Sequence, residues 1–524
     1  MKKLTLLLCF VSFLTKAQNI TVASGKSFTI EKTGAVTMSG NFSNAGTFTL
    51  NSDSNEFSSI IIGGSVSGNI TYNRYVNSVG TNEWDLIGAP VEGQSINSFV
   101  TANASTLASN GDAYAIGYYD NYSDEWENYT TSSNWYPFDG NFLLGMGFQM
   151  ATISGGTLKF TGAPAATNKT LPIIDFSVGQ GEGGGEGGTK WNLVANPFPS
   201  YIHGNTSADS SNNFLTINSE KLHDSYQAIY GYDADGSGYT VYNNTSAALR
   251  IAPGQAFMVA SDNPNVGNPD VLSFTTAMRT TEGDDDFIAG RNSENSFELI
   301  LKLYEGDSEI DHTKFYFGDG LGLDLDPGYD AGHFNQGASL MSRLVEEDEG
   351  VGLVINAMGI ESANDVVVPI ELNREAGNNF RISIGTFNID TAINVYLEDN
   401  VQETMTLLND QDFELTAENE LSGVGRFFIH LTETLLSIDD KIETNYLNVF
   451  KADVNNFITV EGLANQSNGT KLRLYTIRGK EVIFTTLNNT NNKQTISTQG
   501  LSTGIYIVKL ESGNILLTKK LFIK

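Results

Sequence analysis

Two stretches of this chain repeat one another, which restricts the middle of the fold to two copies of one unit. Trp84-Asp85-Leu86-Ile87-Gly88-Ala89-Pro90 returns as Trp191-Asn192-Leu193-Val194-Ala195-Asn196-Pro197. Ala115-Ile116-Gly117-Tyr118-Tyr119-Asp120 returns as Ala228-Ile229-Tyr230-Gly231-Tyr232-Asp233. Gly145-Met146-Gly147-Phe148 and Leu158-Lys159-Phe160-Thr161 return as Gly254-Gln255-Ala256-Phe257 and Leu272-Ser273-Phe274-Thr275. Four matches in one order and at nearly one offset define a duplicated module. The copies span 78–175 and 189–281, and a Gly- and Glu-rich linker, 176–188, joins them. That glycine run lacks the Gly-Lys-Ser/Thr and the following helix that a phosphate cradle requires.

The matched segments are short, alternating and bounded by turn residues, and so is most of the rest. Residues 18–77 carry Phe28-Thr29-Ile30, Val36-Thr37-Met38, Phe48-Thr49-Leu50 and Ile70-Thr71-Tyr72 between Gly, Asn and Ser clusters. That spacing fits a β-meander or a few rungs of a β-solenoid acting as a cap. After the acidic break at Glu282–Asp286, residues 287–434 alternate over longer runs, such as Phe297–Leu303 and Phe380–Ile384, and predict a β-sandwich. A short helix is expected near 337–345. With 53 Gly, 30 Phe and 21 Tyr, the composition agrees with an all-β, multidomain chain of 524 residues.

The net charge is −31. Phosphate backbones need basic patches, so nucleic acid is excluded as a partner, and an acidic surface repels anionic membranes. Lys2 and Lys3 followed by apolar Leu4–Leu14 read as a secretory leader, 1–17, with cleavage between Ala17 and Gln18. The one cysteine, Cys9, lies in it, so the exported chain has neither disulfide nor thiolate metal site. No later segment is apolar and long enough for a transmembrane helix.

Residues 437–524 end the chain with three features: Leu472–Val482, a strand closing on Gly479-Lys480; Leu501-Ser502-Thr503-Gly504-Ile505-Tyr506; and a basic last strand, Thr518–Lys524. This combination resembles the type A C-terminal sorting domain of the type IX secretion system. On that resemblance Gly479, Leu501, Gly504, Tyr506, Lys509 and Lys520 are the sorting motif. It implies a seven-stranded sandwich, a type IX translocon as partner, and a protein secreted or attached to the outer-membrane surface. Residues 445–451 depart from the family's Pro-Asn-Pro opening. Residues 191–199, 251–257 and 274–279 are similar to segments of large, often adhesin-like, secreted proteins of the same system.

No catalytic constellation stands out. The five histidines form no metal-spaced pair. Gly500-Leu501-Ser502-Thr503-Gly504 matches a nucleophile elbow in letters, but a strand follows it where the elbow needs a helix. Asp233, Asp235 and Ser237 offer oxygens at alternate positions for Ca²⁺, as do Asp324, Asp326 and Asp330. The first loop lacks the twelfth-position Glu of an EF-hand, and a simple hairpin turn is the plainer reading of it. Tyr122, Trp126 and Trp135 are candidates for stacking on glycan rings, with cross-strand packing as the plain alternative. The expectation is an adhesive, binding or structural β-protein, with surface glycans as candidate partners. A polysaccharide-active enzyme or its carbohydrate-binding accessory is the alternative.

Overall fold

The computed structural model describes residues 16–80, 84–131, 140–177, 188–233, 238–283, 297–334, 337–389, 393–433, 446–451, 457–464, 466, 469–513 and 515–523. Its first nine strands wind as a three-sided β-solenoid. Each strand pairs in parallel with the strand three positions later, so Phe28 lies on Phe48, Val36 on Ile60 and Phe42 on Val66. Parallel stacking settles the choice between meander and solenoid. Alternation decides what points inward: Ile30, Met38, Phe42, Leu50, Ile62 and Tyr72 fill the bore and are buried. Each such side chain stabilises the stack by about 1.5–3 kcal/mol, which one rung alone could not secure.

The duplication is plain in three dimensions. In the first copy the sheet runs Asp85–Ile87, Phe148–Met150, Ala113–Asp120, Glu125–Thr130; in the second it runs Trp191–Ala195, Ala256–Ala260, Ile229–Asp233, Gly238–Tyr242. A short helix follows the first strand of each, Ile96–Asn103 and Phe214–Asn218, capped by Ser95 and Asn213. The last residue of each helix is a buried clamp. Asn103 accepts from the Lys159 amide at 2.8 Å and donates to its carbonyl at 3.2 Å. Asn218 does the same to Ser273 at 2.7 and 3.1 Å. Phe99-Val100-Thr101-Ala102-Asn103 and Phe214-Leu215-Thr216-Ile217-Asn218 form a fifth matched segment, readable in the sequence and missed there.

Strand pairing groups these residues differently from the sequence match. The strand Gly156–Gly162 pairs with Ile70–Val76, and Asp270–Phe274 pairs with Lys169–Ile173. Each structural unit therefore recruits the strand preceding it. Ile70–Val76 also closes the solenoid, in parallel with Thr47–Asn51, so one sheet crosses position 77/78. These recruited strands share only alternation, which sequence identity does not register. The two copies then meet edge to edge. The Gly88 amide donates to Gly254 and the Ala195 amide to Gly145, both at 2.7 Å, the same contact with the copies exchanged. A Cβ on Gly88 would lie 2.3 Å from that of Ala195, so the approach needs glycine.

Residues 297–432 form one eleven-stranded sheet rather than two separate ones. It curls until its halves face each other, with Leu299, Leu301, Phe380 and Ile382 packed against the same core as Val368, Val395, Leu397 and Ile429. The helix expected near 337–345 is instead the strand Ser339–Ser342. Its four residues are buried, and it lies between Leu353–Gly359 and Asp365–Asn373, where ladder bonds outweigh local helical preference. Two buried histidines have carboxylate partners here: His430 meets Glu398 at 2.8 Å and His333 meets Asp311 at 3.0 Å.

Candidate functional site

The C-terminal module is a three-stranded sheet, Asn448–Phe450, Phe457–Glu461 and Lys493–Ser497, facing a four-stranded one. The second sheet runs Glu481–Leu487, Thr470–Thr476, Gly504–Ser512, Ile515–Ile523. Val449, Ile458, Val460, Leu472, Leu474, Val508 and Leu510 make its dry centre. Gly479 turns the chain at φ +79°, with its amide on the Thr476 carbonyl at 2.8 Å. Leu501 packs on the module core, and Gly504 opens the next strand. The Tyr506 hydroxyl donates to the Ser502 carbonyl at 2.8 Å, pinning the Leu501–Gly504 turn. Gly504 continues directly into a strand, so the Gly-x-Ser-x-Gly letters do not build an elbow.

Lys509 and Lys520 lie on the outward face of the second sheet. Lys509 stands beside Arg473 and Thr518, and Lys520 beside Ile507. Lys471, Phe484, Ile505 and Phe522 expose themselves on that same face. Its basic character is regional: residues 446–524 hold ten basic and four acidic side chains, whereas 18–445 hold 17 and 57.

The second site lies on the joined sheet of the repeats. In copy two, Trp191, Tyr230 and Tyr239 surround Phe334 from the eleven-stranded domain, at ring distances of 4.5, 6.0 and 3.9 Å. The buried Tyr230 hydroxyl donates to the Gly332 carbonyl at 2.8 Å. Met258 and Val241 flank Tyr230 on the neighbouring strands, and Ala331, Val354 and Ile355 help close the cover.

Among the described residues, copy one presents the corresponding face with no such cover. Gly117 occupies the place of Tyr230, flanked by Gln149 and Asn128 where copy two has Met258 and Val241. The aromatic cross-strand pair survives: Tyr119 and Trp126 lie at 5.4 Å, as Tyr232 and Tyr239 lie at 5.0 Å. Trp126 is exposed and Tyr119 half-buried. A Cβ on Gly117 would meet the Gln149 and Asn128 side chains at 2.5 and 2.7 Å, so the amides lean over the glycine. The Tyr119 hydroxyl donates to Asp124; burial, then that bond, pushes the phenol well above its usual range. Tyr122, exposed at the hairpin tip, sets its ring edge-on to Phe176 at 5.4 Å. Trp135 lies outside the described residues.

Of the calcium candidates, Asp233 ends the strand Ile229–Asp233, while Asp235 and Ser237 lie outside the described residues. Asp330 is buried and both its oxygens accept backbone amides, from Ala357 at 2.7 Å and Asp326 at 2.6 Å. Asp326 accepts from Gly322 at 2.7 Å. Burial pushes Asp330 up to about 7, with Asp326 and Asp324 adding to it against the two amides. Among the described residues no three His, Cys, Asp or Glu side chains are placed to hold a metal ion. Nor, among them, is any helix long and apolar enough to cross a membrane.

The seven strands described in this module fit a C-terminal sorting domain, and the family match identifies it as that of a type IX secretion cargo. Residues 452–524 match the family described as a secretion system C-terminal sorting domain. Residues 10–430 match a domain of unknown function, DUF8693, and the chain belongs to that family. No curated protein matches the chain. The sorting domain engages the type IX machinery, which delivers the protein to the cell surface or releases it.

Proposed function

We propose that this protein is a binding protein, adhesive toward surface glycans, whose contact face is the open half of the repeat. One observation carries the reading. A face that in copy two clasps a ring of the protein itself has, among the described residues, no cover in copy one, and its apolar partners are exchanged for two amides and a glycine. Aromatic rings stack on the apolar faces of sugars, and amides bond their hydroxyls in both directions. Trp126 and Tyr119 supply the stack, Asn128 and Gln149 the polar contacts, and Tyr122 extends the aromatic surface at the hairpin tip.

The test is retention of the exported protein on a glycan array and on insoluble polysaccharides, beside Trp126→Ala. The reading expects binding that Trp126→Ala reduces at least ten-fold; absence of any glycan retention, or binding indifferent to the substitution, would sink it. We further infer that export begins with a secretory leader cut after Ala17. Lys16 and Ala17 pair with Thr37 and Met38, so that cut would remove the outermost pair of the solenoid and leave Ile20–Val22 first. A mature N-terminus at Gln18 is the expected sequencing result.

A further inference from the structure

The sorting module is seated on the eleven-stranded domain through a buried ionic contact. Arg343 directly follows the strand Ser339–Ser342, and its side chain is 1% exposed. Its guanidinium reaches Asp348 at 3.0 Å and Glu371 at 2.8 Å within its own domain, and Glu461 of the sorting module at 3.2 Å. Three carboxylates around one guanidinium leave an excess of negative charge, and the module answers it. The Lys493 ammonium lies 3.0 Å from Glu461, and that of Lys519 donates to the Asp348 carbonyl at 2.7 Å. The Tyr446 hydroxyl and the Asn448 amide converge on the same Asp348 oxygen at 2.8 and 2.9 Å.

Shape agrees with charge. The Phe450 ring lies under the Arg343 guanidinium, 5.7 Å from its centroid, and a Cβ on Gly350 would strike that ring at 2.2 Å. Only glycine admits Phe450 there, and Gly350 also holds φ +89°. Tyr446 packs on Phe428 at 6.1 Å, and Asn492 donates to the Val424 carbonyl at a second point of contact. These groups belong to two different family matches, 10–430 and 452–524, together with the short segment between them. Ion clusters of this kind are sensitive to completeness, because removing one partner strands the others in a dry site. Within its own domain Asp348 accepts from Arg343 and from the Gly350 amide, and the module adds the Tyr446 hydroxyl, the Asn448 amide and the Lys519 ammonium to the same residue.

We propose that Arg343, Asp348, Gly350 and Glu371 form a receptor for the chain's own sorting module, and that it retains the module non-covalently once the connecting chain is cut. The partner it fits is therefore a strand-edged module presenting a buried Glu, a Tyr–Asn pair and a flat Phe. The receptor turns a covalent appendage into a bound subunit, so a cut in the connection would not by itself expose the docking face.

The experiment uses the full chain with a site-specific protease sequence placed within 434–445. Digestion is run to completion on a denaturing gel, and the sample is then sized at micromolar concentration by native mass spectrometry and gel filtration. Body and module are expected to travel together, and to remain together in 1 M salt, since buried pairs are screened little. Separate elution of the two pieces in low salt would overturn the proposal. Glu461→Gln and Asn448→Ala are expected to weaken retention at least ten-fold each. Amide exchange on the strands Leu353–Gly359 and Thr470–Thr476 identifies any variant that has lost its fold. If Glu461→Gln does so, Asn448→Ala, which leaves every charge in place, carries the test. Retention unchanged by Asn448→Ala would show that the cluster is not what holds the module.

Discussion

The two repeat copies share a scaffold and differ in what lies on it. Both keep the strand order, the capped helix and the asparagine clamp. Copy two packs this sheet face on the eleven-stranded domain, whereas among the described residues nothing covers it in copy one. Three positions mark the divergence: Tyr230 against Gly117, Val241 against Asn128, and Met258 against Gln149. Scaffold and surface thus answer to different demands. Burial fixes the first, because an unmet amide or a cavity costs stability, while contact with another molecule shapes the second.

The largest expected effect lies on the covered side. Tyr230→Ala removes a buried ring that packs on Trp191 and Phe334, together with the bond to Gly332. Chemical denaturation should show a loss of about 3–5 kcal/mol. Trp126→Ala, on the open side, should cost less than about 1 kcal/mol. Equal losses at the two positions would mean that the open face is covered too.

Titration should single out the covered side as well. Asp330 belongs to the segment that meets copy two, where Asn243 donates to the Tyr329 carbonyl and the Asn244 amide to that of Gly328. Its carboxyl is raised from 3.8 to about 7 in the folded chain. Between those values the folded protein holds a proton that the unfolded chain has released. Stability from this group is therefore present below about pH 4 and is lost as the pH climbs through about 7. Asp330→Asn should flatten that part of the stability profile by a few kcal/mol; a variant profile parallel to the parent's would reject the assignment.

The clamps test what is shared. Asn103→Ala and Asn218→Ala each strand one amide and one carbonyl of the adjoining strand, at about 2 kcal/mol apiece. The prediction is near-equality in denaturation midpoints. A clear difference would show that the copies are tuned separately beneath the surface as well.

How much of this could be read from the letters follows from the same division. Strand identity was legible because alternation is local: Phe28-Thr29-Ile30 and Phe297–Leu303 announce their buried faces. The duplication was legible through Trp84/Trp191 and its companions, and the sorting module through Gly479, Leu501, Gly504 and Tyr506. Pairing was not legible. Nothing in Ile70–Val76 says that it will join Gly156–Gly162 on one side and Thr47–Asn51 on the other, because ladders are made by backbone. Ser339–Ser342 looked helical since its neighbours, not its residues, make it a strand. Tyr122 and Trp126 were singled out by aromatic density alone. Asn128, Gln149 and Gly117 were passed over, as their meaning depends on what stands at the same places in copy two. The Arg343 site was invisible for a related reason: its carboxylates are spread from 348 to 461, and charges that far apart in sequence carry no pattern.

The smallest change in stability should come from making copy one resemble copy two. Gly117→Tyr restores the ring that copy two carries at this place. The new Cβ would press on the half-buried Gln149 and the exposed Asn128 side chains and displace them, and the stability should change by less than about 1 kcal/mol. The ring would fill the space beside Trp126 and displace both amides, removing the polar half of the face while leaving Trp126 and Tyr119 in place. Glycan retention should then fall at least ten-fold with the fold intact. That outcome separates two accounts of the open half that Trp126→Ala does not. If aromatic stacking alone held the ligand, an added tyrosine would strengthen retention; if the site needs amides above a bare glycine, the same substitution closes it.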